Sequence, residues 1–226
     1  MGQYETFRDK RELYNEKTAA KFSMAVNYLS NNARSIRDIL VCEMQAADSY
    51  FDAWRDVPLR WAASDRNEIP AHWLTIGKRN SPLSPRSAKR PICPAHAILN
   101  YSYGILEHAT RVALGAVGLD PAVGIVHVDR PGRDSLIYDL MELGRGKVDE
   151  MVLAFIRNTE FRKGDFVLTE SGEVRLHPEL TRAVCALCTI PYNTLLEKAQ
   201  LLRDMILIDT PEMQENMPDQ EETTNQ

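Results

Sequence analysis

Four side chains of types that bind metal ions are spaced along the middle of the chain: three acids and one histidine. They are Glu107, His127, Asp139 and Glu142. Each acid lies where an apolar helical pattern should continue, so carboxylates occupy core or near-core positions. Because a buried charge is costly unless it is paired or coordinates a metal, this pattern indicates a metal site.

The local spacing agrees with this interpretation. Asp139 and Glu142 are three residues apart in a segment with helical periodicity, so they project from one face. Glu107 lies on a different predicted helix, and His127 follows a short apolar run at 123–126. One imidazole with two or three carboxylates can hold Mg²⁺ or Mn²⁺ and leave positions for water and phosphate oxygens. Such an ion would polarise a phosphodiester or activate an attacking hydroxyl.

The same residues also permit a purely structural interpretation. A glutamate at the edge of an amphipathic helix commonly pairs with a cation, and a histidine after an apolar run is commonly hydrogen-bonded in a core. No fixed-spacing motif such as H-E-x-x-H is present. Spacing alone therefore leaves the metal site and the structural role both open.

Ordered motifs in the second half of the chain resemble the catalytic domain of the Cas-one family of CRISPR-associated proteins, which are spacer-acquisition endonucleases and integrases. The motifs lie at 97–107, 118–127, 130–131, 135–142 and 174–176, and a weaker match begins at Glu43. The resemblance extends over most of residues 10 to 205. Several motifs in the same order over such a length are a specific signal.

The resemblance implies that Glu107, His127 and Asp139 bind Mg²⁺ or Mn²⁺, with Glu142 as a further acid that steadies the ion or its water. It also implies the chemistry: a DNA 3′ hydroxyl attacks a phosphodiester in a CRISPR repeat, and the same centre nicks or resolves branched DNA. The implied partners are DNA, a second copy of the chain and Cas-two, a small companion subunit.

Members of this family normally carry an N-terminal β-rich domain that makes much of the dimer contact. Residues 1 to 35 have helical composition and no period-2 strands, so we expect this chain to lack that domain and any dimer to be weaker. Two other functions stay open from the residues: a non-catalytic DNA-binding or assembly remnant of the same fold, and a structural helical protein whose buried acids are only ion-paired.

The charge distribution separates an acidic tail from a neutral body. The net charge is −5, and residues 212–226 contain five acids and no Lys or Arg, so the rest of the chain is neutral. We expect residues 209–226 to be disordered. An acid-free basic stretch is either a solvated linker or a contact for the DNA backbone, with Arg130 and Arg133 as further phosphate contacts. The basic residues of that stretch are Lys78, Arg79, Arg86, Lys89 and Arg90.

Several function classes have no support. There is no apolar run of eighteen residues, no secretory signal and no nucleotide-binding glycine motif, so we expect a cytoplasmic protein without a membrane span. The four cysteines are interpreted as reduced thiols. Cys185 and Cys188 form half of a zinc site at most, and we interpret them as small apolar residues on a buried helix face.

Periodicity predicts a mainly α fold with one small β-hairpin. Helices are predicted at 36–54, 94–117, 135–143, 147–157 and 195–208, and a hairpin at 166–176 with its turn at Gly172. Glu43 interrupts the apolar stripe of the first helix, and we interpret it as a buried salt-bridge partner. The predicted organisation is an N-terminal helical part with the basic linker (1–92), a metal-binding core (93–208) and the tail (209–226).

Overall fold

The computed structural model describes residues 23–24, 27–28, 30–31, 34–79, 90–127, 132–188 and 192–208. The helices that build the site are confirmed in type, and the fold is mainly helical as predicted. They are α1 (Ile36–Trp54), α2 (Pro94–Ala116), α3 (Ser135–Asn158), α4 (Pro178–Leu187) and α5 (Tyr192–Ile208).

Helix α1 begins where its sequence provides a cap. The Ser35 hydroxyl accepts the backbone N–H of Asp38, and the Asp38 carboxylate accepts the backbone N–H of Ser35. This reciprocal capping box satisfies two of the N–H groups that a helix start leaves without partners. The C-terminal half of α1 buries Tyr50 and Trp54, which join the main hydrophobic core.

Helix α2 is the central element of the core. It begins at Pro94, whose missing N–H costs nothing at a first helical position, and both its first turns and its middle are buried. Helices α3, α4 and α5 all pack against α2. Because Glu107 lies on α2, this packing fixes its position relative to the other candidate residues.

Helix α3 runs without interruption from Ser135 to Asn158. The predicted break at 144–146 is therefore wrong. Gly144 is instead a packing position: a Cβ added there would lie 2.8 Å from Cδ1 of Leu106, a fully buried side chain on α2. A glycine inside a helix costs about 1 kcal/mol relative to alanine, and here it permits close approach of two helices.

Replacing Gly144 by Ala should therefore destabilise the protein although alanine is the better helix former. The added methyl displaces Leu106 in a close-packed core, at a cost of about 1–2 kcal/mol net of the helix-propensity gain. Urea unfolding followed by circular dichroism measures this. Gly104→Ala is the matched control, because the space beside Gly104 is open, and it should be neutral or stabilising. Equal stability of both variants would contradict the packing role of Gly144.

The predicted hairpin is confirmed, with β3 (Phe166–Leu168) antiparallel to β4 (Val174–Leu176) and Gly172 at a φ of 80°. A second strand pair was not predicted: β1 (Arg60–Trp61) lies parallel to β2 (Glu160–Phe161). Trp61 and Phe161 of this pair contact Phe166 of the hairpin. This aromatic packing joins the N-terminal part to the region after α3.

Some predictions fall outside the described residues. These are the acidic tail from 209, the N-terminal segment 1–22, and three basic side chains, Arg86, Lys89 and Arg130. Of the cysteine pair, Cys188 is buried as predicted but Cys185 is exposed, so only one of the two belongs to a buried face. Among the described helices, none is long and apolar enough to cross a membrane.

Candidate metal and nucleic-acid site

Helices α2 and α3 run antiparallel, and their contacts define which residues face each other. Tyr103 of α2 contacts Asp149 of α3, Leu106 packs at Gly144, and Arg111 contacts Asp134 at the start of α3. Glu107 lies between Leu106 and Arg111 along α2, so it is level with the part of α3 between residues 134 and 144. That part of α3 contains Asp139 and Glu142, the two acids that the sequence analysis assigns to the same site as Glu107.

His127 and Asp139 are in direct contact. The Nδ1 atom of His127 lies 2.6 Å from Oδ1 of Asp139, and both side chains are mostly buried. Tyr138 packs beside the imidazole, with the two ring centroids 6.1 Å apart. Since Nδ1 is engaged, Nε2 is the ring nitrogen left for another partner, which is the arrangement that orients a metal-binding or proton-transferring histidine.

The Asp139 carboxylate also holds the backbone of the loop before α3. Its Oδ2 accepts the N–H groups of Ile125 and Val126 at 2.6 and 3.0 Å, and its Oδ1 accepts the N–H of His127 at 3.0 Å. Burial alone would raise the pKa of Asp139, but the contact with His127 and the three N–H donors outweigh it, so the pKa is lowered. Asp139 is thus an anion at neutral pH and organises the His127 loop.

Glu142 is a partly buried acid whose Oε1 atom is buried without a hydrogen-bond partner in the described structure. Its Oε1 lies 3.0 Å from Nε of Arg145, yet neither atom makes a hydrogen bond in the described structure because the angles are unfavourable. Burial raises the pKa of Glu142 to about 7, against the opposing effect of Arg145. The charges of Glu43 and His127 also act on this carboxyl, so both groups are nearby.

Glu107 is held by a cation. Nη2 of Arg111, one turn further along α2, lies 3.4 Å from Glu107 and 2.6 Å from Asp134. All three side chains are between one third and one half exposed. Arg111 therefore bridges Glu107 to the start of α3.

No group of three His, Cys, Asp or Glu side chains in the described residues is arranged to hold a metal ion. The structure brings His127 and Asp139 together, places Glu142 nearby and pairs Glu107 with Arg111 instead. The assignment of Glu107, His127 and Asp139 as one ligand set remains a prediction. In this conformation Glu107 contacts Arg111, and both oxygens of Asp139 accept N–H groups of the loop.

Behind Glu142 lies a buried polar network. The Tyr103 hydroxyl donates to Oδ1 of Asp149 at 2.5 Å, and Arg79 and Arg145 both lie over the Tyr103 ring, at 5.3 and 5.2 Å from its centroid. Asp149 is fully buried, and burial raises its pKa to about 6 in spite of hydroxyl donors. Arg145 belongs to this network and also contacts Glu142, so buried charged groups adjoin the candidate site.

The predicted DNA contacts differ in their surroundings. Lys78 is exposed, whereas the Arg79 guanidinium lies over Phe51 at 4.7 Å and donates to Asn100, which gives it a role in packing. Arg90 pairs with Glu173 of the hairpin. Arg133 lies over the ring of Tyr138, at 5.2 Å, beside the His127 and Asp139 pair. As DNA contacts all four stay predictions, and Arg133 is the one whose position adjoins the candidate site.

Sequence reasoning did not assign the partners of these acids. Arg111, Arg145 and Asp149 follow Glu107 or Glu142 at helical spacing and could have been found by that spacing. Glu43 was interpreted as a salt-bridge partner, but no cation pairs with it in the described part of the chain, and it lies near Glu142 instead. The sequence signal for a role of Glu43 is that it interrupts the apolar stripe of α1.

Comparison with known proteins identifies the family. The model of the family "CRISPR associated protein Cas1", the Cas-one of the sequence resemblance, matches residues 3–188. The CRISPR-associated endonuclease Cas1 2 of Rhodospirillum rubrum is 44% identical over 100 residues, which are 44% of this chain and 29% of that protein. The protein of the same name in Pyrobaculum aerophilum is 31% identical over 158 residues, 70% of this chain and 44% of that protein. The chain thus spans less than half the length of these two relatives.

Solved structures share the fold. A casposase bound to integration product has a TM-score of 0.62 at 24% identity and covers 89% of this chain and 66% of that one. The Cas6-RT-Cas1–Cas2 complex has a TM-score of 0.67 at 18% identity and covers 91% of this chain and 22% of that one. At these identities the likeness concerns the fold alone. Since the family model covers most of the chain, this protein belongs to the Cas1 family of CRISPR-associated proteins.

Proposed function

We propose that this chain is a metal-dependent DNA endonuclease with integrase-type strand-transfer activity in CRISPR adaptation. The observation that carries the proposal is the contact between His127 and Asp139, with Glu142 nearby. Its relatives are named endonucleases, and one structural neighbour is a casposase bound to integration product.

The residues fit a hard divalent ion. Carboxylates with one imidazole are donors that Mg²⁺ and Mn²⁺ accept, and the buried Oε1 of Glu142 makes no hydrogen bond in the described structure. Glu107, His127 and Asp139 would hold the ion, with Glu142 beside it. A bound ion would polarise a phosphodiester oxygen and stabilise the charge that develops during attack by water or a 3′ hydroxyl.

The chain's own groups have distinct tasks in this proposal. Asp139 fixes the orientation of the His127 ring through Nδ1 and also holds the three N–H groups at 125–127. Tyr138 packs beside the imidazole. Arg133, over Tyr138, provides a cation next to the reacting phosphate.

DNA binding by the remaining cations would be independent of sequence. Lys78 is exposed, and it leads into the basic stretch that contains Arg86 and Lys89. Contacts of this type neutralise backbone phosphates and weaken as salt rises. A Cas2-type subunit and a second copy of the chain are proposed partners, the former because two neighbouring structures are Cas1–Cas2 complexes.

One observation favours the second candidate, a non-catalytic remnant that binds DNA. The Asp139 carboxylate already accepts three backbone N–H groups and contacts His127, and Glu107 is paired with Arg111. A carboxylate has about four acceptor positions, so Asp139 has none to spare in this conformation. The two candidates therefore differ in whether the acids rearrange around an ion.

The experiment is a nicking and strand-transfer assay with the full chain. A branched DNA and a blunt duplex of the same sequence are incubated with Mn²⁺, with Mg²⁺ or with EDTA. We expect nicking of the branched DNA with either metal and none with EDTA. Cleavage that persists in EDTA would refute metal dependence. DNA binding without nicking or strand transfer in any metal would establish the remnant instead.

A further inference from the structure

Arg111 occupies an unusual position for a cation in a site proposed to bind a metal ion. Its Nη2 atom lies between the carboxylates of Glu107 and Asp134, and Glu107 is one of the proposed ligands. A guanidinium and a divalent ion at one carboxylate repel each other, so each weakens the binding of the other. The contact of Arg111 therefore bears on how the ion is bound.

The two contacts are unequal. Nη2 lies 2.6 Å from Oδ2 of Asp134, a normal charge-assisted hydrogen bond, but 3.4 Å from Oε1 of Glu107, which is a weak contact. A single Nη atom carries two hydrogens, so it can serve both carboxylates at once. Asp134 also has the larger effect on the pKa of Arg111, which is raised. Asp134 is thus the anchor, and Glu107 is the partner that can leave.

We propose that Arg111 competes with the divalent ion for Glu107 and that Asp134 limits this competition by holding the guanidinium. This inference rests on the proposed function, in which Glu107 is a metal ligand. Without the ion, Arg111 neutralises Glu107. With the ion, Glu107 turns to the metal and Arg111 stays on Asp134, beside the start of α3. Arg111 is a positioning residue in this scheme and touches neither metal nor substrate.

Competition predicts that replacing Arg111 and replacing Asp134 change the affinity for Mn²⁺ in opposite directions. Arg111→Gln removes the competing cation, so Mn²⁺ should bind about two- to fivefold more tightly, the range expected for a partly exposed ion pair. Asp134→Asn removes the anchor, so the guanidinium engages Glu107 fully and Mn²⁺ should bind about two- to fivefold more weakly. Asp134 makes no side-chain hydrogen bond to the first turn of α3, so this variant leaves the helix start intact.

The double variant Arg111→Gln/Asp134→Asn separates competition from the general electrostatic field. It has the same net charge as the wild type, so a pure field effect would return Mn²⁺ affinity to the wild-type value. Competition predicts that binding remains tighter than wild type, because no guanidinium faces Glu107. Arg157→Gln, an exposed arginine at the far end of α3, is the control for charge alone and should leave affinity unchanged.

The measurement is a Mn²⁺ titration of the full chain, following free Mn²⁺ by electron paramagnetic resonance at low salt, with circular dichroism to verify folding. Glu107→Gln tests the proposed function separately. If Glu107→Gln binds Mn²⁺ as tightly as wild type, Glu107 is no ligand and the proposed ligand set fails. If Glu107→Gln weakens binding but Arg111→Gln does not tighten it, or the double variant matches wild type, the competition alone is refuted.

Discussion

Replacing His127 by Ala should lower Mn²⁺-dependent nicking of branched DNA by at least about a hundredfold, more than the loss typical of a residue outside the ligand shell. The physical reason is the loss of the imidazole that contacts Asp139. His127 lies in the loop before α3 and is not part of the main hydrophobic core, so the helical circular-dichroism signal should persist. His108→Ala is the matched control, because His108 is exposed on α2 next to Glu107 and should retain full activity.

Asp139→Asn tests the other member of the pair, and its effect has two parts. An amide keeps one acceptor oxygen but loses the charge, so it should bind the ion weakly and also hold the loop less firmly. Nicking should fall at least as far as in His127→Ala. Hydrogen exchange at the amides of 125–127 should become faster, whereas in His127→Ala the Ile125 and Val126 amides should stay protected. Wild-type nicking by both variants would refute the catalytic assignment.

The helices could be predicted because their signals are local. The Ser35 and Asp38 cap and the position of Pro94 are visible in the sequence, and both mark true helix starts. The break predicted at Gly144 is wrong because the reason for that glycine is Leu106, thirty-eight positions earlier in the chain. Local propensity contains no information about a side chain on another helix.

In the site, too, local spacing could be predicted and contacts between distant parts of the chain could not. Helical spacing places Asp139 and Glu142 on one face, and the contacts of α2 with α3 bring Glu107 level with that part of α3. The ion pairs within one helix, Arg111 with Glu107 and Arg145 with Glu142, follow from helical spacing, but the contacts between elements could not be predicted because they depend on register. Arg111 reaches Asp134 across twenty-three positions, and the loop before α3 donates its N–H groups to Asp139. A carboxylate that the sequence alone presents as a free metal ligand can therefore already be hydrogen-bonded or ion-paired in the fold.

The short parallel pair of β1 and β2 illustrates a further limit. Each strand has two residues, which is too short for a period-2 pattern, and the paired segments are about a hundred positions apart. What selects the pairing is the aromatic packing of Trp61 and Phe161, a tertiary interaction. Such pairs become visible only when the core is known.

Asp149→Ala should have the largest effect on stability among the substitutions considered, lowering the free energy of unfolding by about 3 kcal/mol. The fully buried carboxylate accepts the Tyr103 hydroxyl and compensates Arg79 and Arg145. Without it, a buried hydroxyl and two guanidinium groups lose their counterpart. Lys147→Ala is the control on the same helix, because it removes only an exposed ion pair with Glu150 and should cost no more than about 0.5 kcal/mol.

Asp149→Asn should lower the free energy of unfolding much less than Asp149→Ala does. The difference in stability between Asp149→Asn and wild type should also depend on pH. Burial raises the pKa of Asp149 from 3.8 to about 6, so the folded protein binds a proton more tightly than the unfolded chain. The resulting stabilisation is present below pH 4 and is lost as pH rises through 6. The asparagine does not titrate, so its stability relative to wild type should improve by about 2 kcal/mol between pH 4 and pH 7. Urea unfolding across this range decides it, and a difference that does not change with pH would show that the Asp149 carboxylate is not desolvated.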